Sequence, residues 1–355
     1  MGIFDIFKKK EVKPKGSKGF HEVKIQINRL SKDSVKVSFE IPNELKSDFD
    51  FIAGQYVNVE VFVNGKNQRR SYSICSGKNE PLSIAVKVVE KGLVSYWFNT
   101  EAKTGDTIHI SKPEGGFHLS EGQKNIVAIA AGSGITPILS IAKSIEGKGK
   151  LTLFYGNQTV DRSIFIQDLK SLDNVTPTFY LSQETKEGFK NGRIDKENFT
   201  SEIKQNLELL KADCFFICGP EEMIHATKEV LMFFGVQDSK IKFELFTIPT
   251  AAPKAKKEMS FKGKSHIKVM LDHEVTSFDM NVPGGTILEQ VEKSGLDVPY
   301  SCRGGVCSSC KAKVLEGDVA MKLNYSLTDD EVANGYVLTC QAIPQSSTVS
   351  LSYDD

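Results

Sequence analysis

Short apolar runs alternate with amphipathic segments along the middle of the chain, between residues 121 and 248. Five runs have the length of buried strands, at residues 125–131, 151–155, 178–181, 214–218 and 241–246. Between them, residues 164–172 and 221–234 space their apolar positions at helical intervals. Because strands that alternate with helices form βαβ units, this region predicts an α/β domain built on a parallel sheet.

The regions on either side show different patterns. Residues 22–120 are strand-like and divided by turn residues, with few helical intervals, which is typical of an antiparallel barrel or sandwich. Near the C-terminus, residues 267–271 and 276–282 predict two strands. Thr286 and Glu289 then have the spacing of a capping box, and Gly295 is placed to end the helix that the box begins. This order fits the single helix of an α+β β-grasp fold.

The chain therefore divides into three predicted domains. At 355 residues it is longer than one core usually fills. A Pro/Ala/Lys-rich stretch that begins near residue 250 resembles an interdomain tether. We predict a flexible tail at 1–19, a barrel at 20–120, a nucleotide-binding domain at 121–249, a linker at 250–264 and a β-grasp domain at 265–355. The linker would let the last domain swing.

Charge and composition exclude several classes of protein. The 45 basic and 45 acidic residues balance, so nothing indicates a nucleic-acid partner. No run of 18 apolar residues occurs, which predicts that the chain does not insert stably into a membrane. The N-terminal tail lacks the apolar region of a signal peptide; a frayed end and a weak docking segment are both open interpretations. Seven cysteines, an odd number, suit a reducing compartment such as the cytoplasm.

Four of those cysteines carry the most specific chemistry in the sequence. Cys302, Cys307 and Cys310 have the spacing C-x4-C-x2-C, and Cys340 follows, which is the plant-type pattern for a [2Fe–2S] cluster. The intervening loop is rich in glycine and serine, so its backbone can approach the inorganic sulfides. A structural zinc site is the alternative, but such sites usually show paired C-x2-C knuckles or Cys/His sets. The sequence favours the cluster.

Two glycine-containing turns follow strands of the predicted parallel sheet. Gly132 and Gly134 lie directly after the first strand, with Thr136 and Pro137 opening a helix. The N–H groups at a helix start bind phosphate, although a plain strand-to-helix connection has the same pattern. A second turn, of Cys218, Gly219 and Pro220, follows another strand. Both lie at carboxyl ends of strands, where ligands bind in sheets of this type.

The barrel region contributes two further motifs. Arg70-Ser71-Tyr72-Ser73 alone would be an ordinary strand with an exposed arginine. Residues 91–98 can begin a short helix, and the N–H groups of its first turn, with the Ser95 hydroxyl, would face a phosphate.

In this order, the motifs identify a known family. Arg70-x-Tyr72-Ser73, Gly92-x-x-Ser95, Pro113-x-Gly115-Gly116-Phe117, Gly132-x-Gly134-x-Thr136-Pro137 and Cys218-Gly219-Pro220 occur in sequence. Residues 20–247 thus resemble the ferredoxin–NADP reductase superfamily, and residues 265–355 resemble a plant-type [2Fe–2S] ferredoxin. The domain order, and residues such as Asn324-Tyr325 and Gly335 to Ala342, are similar to the family of reductase subunits of bacterial phenylacetyl-CoA epoxidases.

The resemblance implies three cofactors, FAD, NAD(P)H and the [2Fe–2S] cluster, and a role for each matching residue. Arg70 would pair with the FAD pyrophosphate, Tyr72 would stack on the isoalloxazine, and Ser73 would lie near its N5 atom. The pyrophosphate would also contact Gly92, Leu93, Val94 and Ser95. The nicotinamide nucleotide would bind to residues 132–137 and to the turn of Gly219 and Pro220, with Cys218 beside its ring. Glu244 and Phe246 match the family's acidic residue and flavin-covering aromatic, although plant members carry a tyrosine at the latter place and core packing is an alternative role for Phe246.

This set of cofactors implies a reductase. NAD(P)H gives up two electrons together, a [2Fe–2S] cluster takes one at a time, and a flavin connects the two. We expect electrons to pass from NAD(P)H through FAD and the cluster to a di-iron oxygenase, that of phenylacetyl-CoA epoxidation in phenylacetate degradation. The alternatives are a reductase for another oxygenase or an acyl desaturase and, in a different class, a redox sensor without turnover.

The coenzyme stays open between NADH and NADPH. Members that prefer NADPH usually carry an arginine after the serine that follows the third strand, whereas this chain has Ser182-Gln183. A charge-assisted contact of roughly 1.5 to 3 kcal/mol to the 2′-phosphate is then missing. Arg193 could replace that contact, or it could be a solvated surface residue.

Overall fold

The computed structural model describes residues 16–246 and 260–354. The first domain is an antiparallel barrel with one helix. Its elements are β1 (Phe20–Ser31), β2 (Ser34–Glu40), β3 (Tyr56–Val63), β4 (Lys66–Ser73), β5 (Ser83–Lys87), α1 (Leu93–Thr100) and β6 (Thr107–Ser111).

The six strands close on themselves. They are ordered β4-β3-β6-β1-β2-β5, and a bridge between Ile74, just after β4, and Ile84 of β5 joins the two edges. Alternate apolar residues such as Val57 and Val59 point into a buried core. The barrel prediction is confirmed. Because the barrel is closed, the edge of β4 that does not pair with β3 lies beside β5.

The second domain is a parallel sheet covered by helices. Its elements are β7 (Asn125–Ala131), α2 (Ile135–Ser144), β8 (Lys150–Asn157), α3 (Ile166–Ser171), β9 (Val175–Leu181), β10 (Lys190–Asn191), α4 (Lys196–Gln205), β11 (Cys214–Cys218), α5 (Glu221–Phe233) and β12 (Ile241–Glu244). The strand order is β10-β9-β8-β7-β11-β12, and all pairs are parallel. The sequence prediction of an α/β domain is confirmed.

Several boundaries in this domain differ from prediction. The strands predicted at 151–155 and 178–181 are longer, because β8 covers Lys150–Asn157 and β9 covers Val175–Leu181. The strand predicted over 241–246 ends at Glu244, so Phe246 lies in the following bend. The helix predicted from residue 164 begins at Ile166, because Phe165 has a left-handed backbone, with φ of 61°, that cannot belong to a right-handed helix.

The third domain has a mixed sheet around one main helix. Its elements are β13 (Gly263–Leu271), β14 (Glu274–Val282), α6 (Ile287–Lys293), β15 (Lys311–Glu316), β16 (Val319–Met321), α7 (Asp329–Ala333), β17 (Tyr336–Leu338), β18 (Ala342–Pro344) and β19 (Thr348–Ser352). Five strands are ordered β14-β13-β19-β15-β17, and β16 pairs with β18. This is the predicted α+β β-grasp arrangement.

The capping box of α6 forms as predicted. The Thr286 hydroxyl accepts from the Glu289 N–H, and the Glu289 carboxylate accepts from the Thr286 N–H at 3.0 Å. The prediction of a single helix is incomplete, because Thr328 and Glu331 form a second capping box that begins the short α7. The linker predicted at 250–264 lies mostly outside the described residues, as does most of the tail predicted at 1–19. Among the described residues, no helix has the length and apolar character needed to cross a membrane.

Candidate active site and metal centre

Strand β4 carries the first motif and presents different side chains on its two faces. Arg70 is exposed, whereas the partly buried Tyr72 packs edge-to-face on Phe98 of α1, with ring centroids 6.1 Å apart. Side chains alternate along a strand, so Arg69, Ser71 and Ser73 lie on the opposite face. The sequence predicted a flavin site from Arg70, Tyr72 and Ser73, but the structure places Ser73 on the face opposite the other two, and that second face is an interdomain contact.

Ser73 brings the barrel and the parallel-sheet domain together. Its hydroxyl donates to the Glu244 carboxylate at 3.2 Å, and Glu244 is paired with Cys218 across β11 and β12. Desolvation raises the pKa of Glu244 to about 8. The hydrogen bond from Ser73 lowers this pKa but offsets the effect of desolvation only in part. Burial likewise raises the pKa of the Cys218 thiol well above its usual value, and Glu244 adds to that effect. Three predicted site residues therefore meet in one cleft as largely uncharged groups at neutral pH.

Phe246 follows β12 by two residues and is 40% exposed. A side chain with this exposure is not a core residue, so the structure argues against the core-packing interpretation. The flavin-covering role of Phe246 stays a prediction.

The start of α1 forms the second predicted phosphate turn. Gly92 is the N-cap residue, and a Cβ there would lie 2.6 Å from the Ser95 hydroxyl. That hydroxyl accepts from the Val89 N–H at 3.1 Å and donates to the Gly92 carbonyl at 3.0 Å. Ser95 thus shapes the turn, while Leu93 is exposed and Val94 is buried. The N–H groups of the first helical turn lack intrahelical acceptors, which suits an anionic group.

The two glycine turns of the parallel sheet pack against each other. A Cβ on Gly134 would lie 2.1 Å from the Cys218 carbonyl oxygen, and one on Gly219 would lie 3.1 Å from the Ala131 nitrogen. Only residues without side chains allow this approach. By contrast, a Cβ on Gly132 would meet nothing within 4 Å, so this turn is open to a ligand.

The other predicted residues of these turns have structural contacts. Thr136 and Pro137 are buried in the first turn of α2, where the Thr136 hydroxyl donates to the Ser133 carbonyl at 2.9 Å. Pro220 is the exposed N-cap of α5 and not its first helical residue.

The candidate coenzyme-selecting residues lie at the edge of the same sheet. Ser182 and Gln183 follow β9, and their N–H groups donate to the carbonyls of Asn157 and Gln158 at 3.0 and 2.9 Å. Arg193 contacts Glu222, with 3.7 Å between Nη1 and Oε2, and both side chains are largely exposed. This ion pair leaves the choice between a phosphate contact and a surface role for Arg193 open.

The four cluster cysteines lie together in the third domain. The Cys302 sulfur accepts from the N–H groups of Gly304 and Val306 at 3.3 and 3.4 Å, and the Cys307 sulfur accepts from the Cys302 N–H at 3.4 Å. One neighbouring thiol is the largest influence on the pKa of each of two cysteines: Cys307 lowers the pKa of Cys302, and Cys340 raises the pKa of Cys310. The loop therefore supplies the backbone donors that stabilise thiolate ligands.

This two-plus-two arrangement distinguishes the candidate metals. Within residues 16–246 and 260–354, no three His, Cys, Asp or Glu side chains are arranged around a point that could hold one metal ion. A tetrahedral zinc site needs four ligands around one point, whereas a [2Fe–2S] cluster needs two thiolates on each of two irons. The pairing of the thiols, with the backbone donors around them, suits the two irons of a [2Fe–2S] cluster.

The cluster loop is docked against the barrel, next to the cleft. The Tyr56 hydroxyl donates to the Cys307 carbonyl, and it lies 3.2 Å from the Ser309 hydroxyl. The Ser71 hydroxyl donates to Ser301 at 2.9 Å. Val306 and Tyr325 also pack against the core of the parallel-sheet domain. Sequence reasoning missed these residues, because they show no local pattern and the hydrogen-bonded pairs among them are separated by 230 or more positions.

Comparison with known families agrees with this three-part architecture. An "Oxidoreductase FAD-binding domain" model matches residues 23–119, and an "Oxidoreductase NAD-binding domain" model matches residues 128–240. A "2Fe-2S iron-sulfur cluster binding domain" model matches residues 271–345. The protein is an NAD(P)H-dependent oxidoreductase with FAD-binding, NAD(P)-binding and [2Fe–2S] domains.

The similarity to relatives extends over nearly the whole chain. The chain is 35% identical over 349 residues to one component of the 1,2-phenylacetyl-CoA epoxidase of Escherichia coli K12, covering 94% of this chain and 98% of the relative. It is 28% identical to the ferredoxin reductase component of 3-ketosteroid-9-alpha-monooxygenase of Rhodococcus rhodochrous, with coverages of 90% and 93%. The solved structure of phthalate dioxygenase reductase matches the fold of this chain with a TM-score of 0.59 at 23% identity, covering 94% of this chain and 98% of that one. The chain belongs to the ferredoxin–NADP reductase superfamily, in the group that carries a C-terminal [2Fe–2S] ferredoxin domain.

Proposed function

We propose that this protein is the reductase component of a di-iron oxygenase and passes electrons from NAD(P)H through FAD and the [2Fe–2S] cluster to that oxygenase. We further propose that the oxygenase is a phenylacetyl-CoA epoxidase. The observation that carries the electron path is the position of the cluster loop, because Tyr56 binds the carbonyl of the ligand Cys307 on the sheet that also holds Tyr72 and Ser73.

The residues of the cleft support this path by positioning groups and excluding water. A bound flavin would accept an electron pair from NAD(P)H and release electrons singly. Tyr72 and Phe246 would cover its ring system, and Arg70 with the start of α1 would hold its pyrophosphate. Cys218 would lie beside the nicotinamide, while Ser73 holds its hydroxyl proton on the Glu244 carboxyl. The paired glycine turns would seat the nicotinamide nucleotide.

The choice of oxygenase rests on the full-length similarity to the Escherichia coli epoxidase component. Relatives named for 3-ketosteroid and glycine betaine monooxygenases are 28% identical over most of the chain, so a different oxygenase is the competing outcome. An acyl desaturase would draw electrons in the same way.

Reconstitution with the oxygenase components of a phenylacetyl-CoA epoxidase tests the proposal. We expect NAD(P)H oxidation coupled to formation of the epoxide of phenylacetyl-CoA, measured by absorbance and mass spectrometry. A Cys310→Ser variant is the matched control, because it should keep the flavin spectrum and bleaching by NAD(P)H while it loses coupled product. If the protein supports turnover only with another oxygenase, that oxygenase replaces the epoxidase in the assignment. If NAD(P)H does not bleach the flavin, the redox-sensor alternative is favoured.

A further inference from the structure

The face of β4 opposite Arg70 and Tyr72 holds a buried arginine that joins two domains. Arg69 is 7% exposed, and its Nε donates to the Glu60 carboxylate of β3 at 2.8 Å. Its Nη2 donates to Asp297 of the ferredoxin domain at 2.6 Å, and its Nη1 donates to the Val298 carbonyl at 3.3 Å. One guanidinium therefore binds both domains at once.

Aromatic rings enclose the same guanidinium. The centroids of the Phe20 ring of the barrel and the Tyr300 ring of the ferredoxin domain lie 5.0 and 4.6 Å from its central carbon. A planar cation with several donors is suited to this combination of ring stacking and divergent hydrogen bonds, which a lysine cannot reproduce.

The barrel side of the contact is held in place before docking. The Glu60 side chain is 1% exposed and also accepts from the Ser17 N–H at 3.0 Å, the Ser17 hydroxyl at 2.5 Å and the Asn67 amide at 3.3 Å. Asp297 is different, since its side chain is 45% exposed and its contact with Arg69 crosses the domain boundary. The Arg69–Glu60 pair can therefore persist when the ferredoxin domain leaves, whereas the Arg69–Asp297 pair cannot.

The contacts of Arg69 lie on the same face of β3 and β4 as the contacts of the cluster loop. Glu60 pairs with Arg69, Asn58 with Ser71 and Tyr56 with Ser73 across β3 and β4, so all six side chains share one face. Along this face, Arg69 binds residues 297 and 298, Ser71 binds Ser301, and Tyr56 binds the Cys307 carbonyl. Ser73, at its end, binds Glu244 in the cleft.

We infer that Arg69 is a positioning residue that docks the ferredoxin domain through Asp297 and so sets the rate at which electrons pass from the flavin to the cluster. This inference rests on the proposed path from flavin to cluster and not on the identity of the oxygenase. Electron transfer depends on the distance and orientation of donor and acceptor, so a weaker dock slows this step alone.

Asp297→Asn in the full-length holoprotein is the primary test, since it leaves the buried Arg69–Glu60 pair intact. Anaerobic stopped-flow mixing with NAD(P)H separates bleaching of the flavin from reduction of the cluster. We expect bleaching to keep its rate and cluster reduction to slow about fivefold, the effect of losing one partly exposed ion pair. Raised salt should slow cluster reduction in the parent protein more than in the variant.

Asp279→Asn is the matched control. Asp279 lies in the same domain and pairs with Lys264 and His266 within it, so the same loss of charge should leave both rates unchanged. Arg69→Lys keeps a cation beside Glu60 but loses the branched donors, and its cluster reduction should slow at least as much as in Asp297→Asn.

The inference is overturned if Asp297→Asn reduces its cluster within twofold of the parent rate, if both steps slow together, or if Arg69→Lys behaves as the parent protein. A parent protein whose flavin bleaches while its cluster stays oxidised would instead refute the proposed electron path, so the two failures are distinguishable.

Discussion

The Glu244 carboxyl shows how one residue can acquire a proton at neutral pH. It lies between Ser73 and Cys218, in a cleft where neither neighbour carries a charge that would favour its ionised form. Desolvation is the largest cause of its raised pKa of about 8. Below that pH the carboxyl is neutral, and above it a negative charge appears beside the place where an electron pair would arrive on the flavin.

Glu244→Gln should remove a pH dependence of flavin reduction. In the parent protein we expect the rate of bleaching by NAD(P)H to fall about tenfold as the pH rises through the pKa of Glu244, since the ionised carboxylate opposes added negative charge. The glutamine variant is neutral throughout and should show a flat profile. Anaerobic stopped-flow absorbance between about pH 6 and about pH 10 makes the measurement, and a shared midpoint in the two proteins would contradict it.

Residues of this kind differ in how far the sequence reveals them. The cluster cysteines could be proposed from the sequence because three of them fall within one loop, with a spacing that reflects the geometry of two irons. The role of Arg69 was not predictable, because the sequence does not distinguish it from the neighbouring Arg70. Its partner Asp297 is also 228 residues away. The sequence shows a charge in a strand but cannot show which face another domain will cover.

The glycine turns are the elements on which the proposed nucleotide site depends most directly. Gly134 and Gly219 bring the ends of β7 and β11 into backbone contact, so neither turn can widen without the other. The adjacent strands are parallel and in register from Ile126 to Ala130, which holds both turns at one edge of the sheet.

Gly134→Ala should destabilise the second domain and weaken nucleotide binding. The new methyl group would overlap the Cys218 carbonyl oxygen, and relieving that overlap costs roughly 1 to 3 kcal/mol. Gly116→Ala is the control, since its Cβ would meet nothing within 4 Å and its expected cost is below about 0.5 kcal/mol. Urea unfolding and the KM for NAD(P)H would show the difference, and equal midpoints for the two variants would disprove the contact.

Elements were predicted best where the pattern is strong. The runs at 125–131 and 214–218 coincide with β7 and β11, because fully buried strands need continuous apolar residues. Ends were less predictable: β12 stops two residues early, and the short α7 depends on a capping box that spans only four positions. Such ends are decided by a few hydrogen bonds and not by periodicity.

At the scale of the whole molecule, the docked ferredoxin domain contacts both other domains. Arg69 and Tyr56 hold it to the barrel, and Val306 and Tyr325 pack against the parallel-sheet domain. This arrangement suits transfer from flavin to cluster, but an oxygenase must also approach the cluster. The predicted tether would allow both if the domain leaves its dock, although residues 247–259 lie outside the described part of the chain.

Shortening the tether within residues 250–259 should separate the two uses of the cluster. Bleaching of the flavin and reduction of the cluster should keep their rates, since the docked contacts do not require the domain to move. Electron delivery to the oxygenase should fall about tenfold, because the domain can reach fewer positions. Replacement of the tether by a Gly/Ser segment of equal length controls for its composition. Equal slowing of flavin bleaching, cluster reduction and electron delivery in the shortened variant would refute a swinging domain.

The two-sided use of β4 also restricts how this strand can change. Because successive side chains alternate, inserting or deleting one residue before Arg69 would exchange the faces, turning Tyr72 toward the ferredoxin domain and Arg69 toward the barrel interior. A substitution alters one face of the strand at a time. An insertion or deletion of one residue shifts every later side chain to the other face and would disable the proposed flavin binding and the domain docking together. Homologous reductases that use the same dock should therefore vary in the composition of this strand but not in its length.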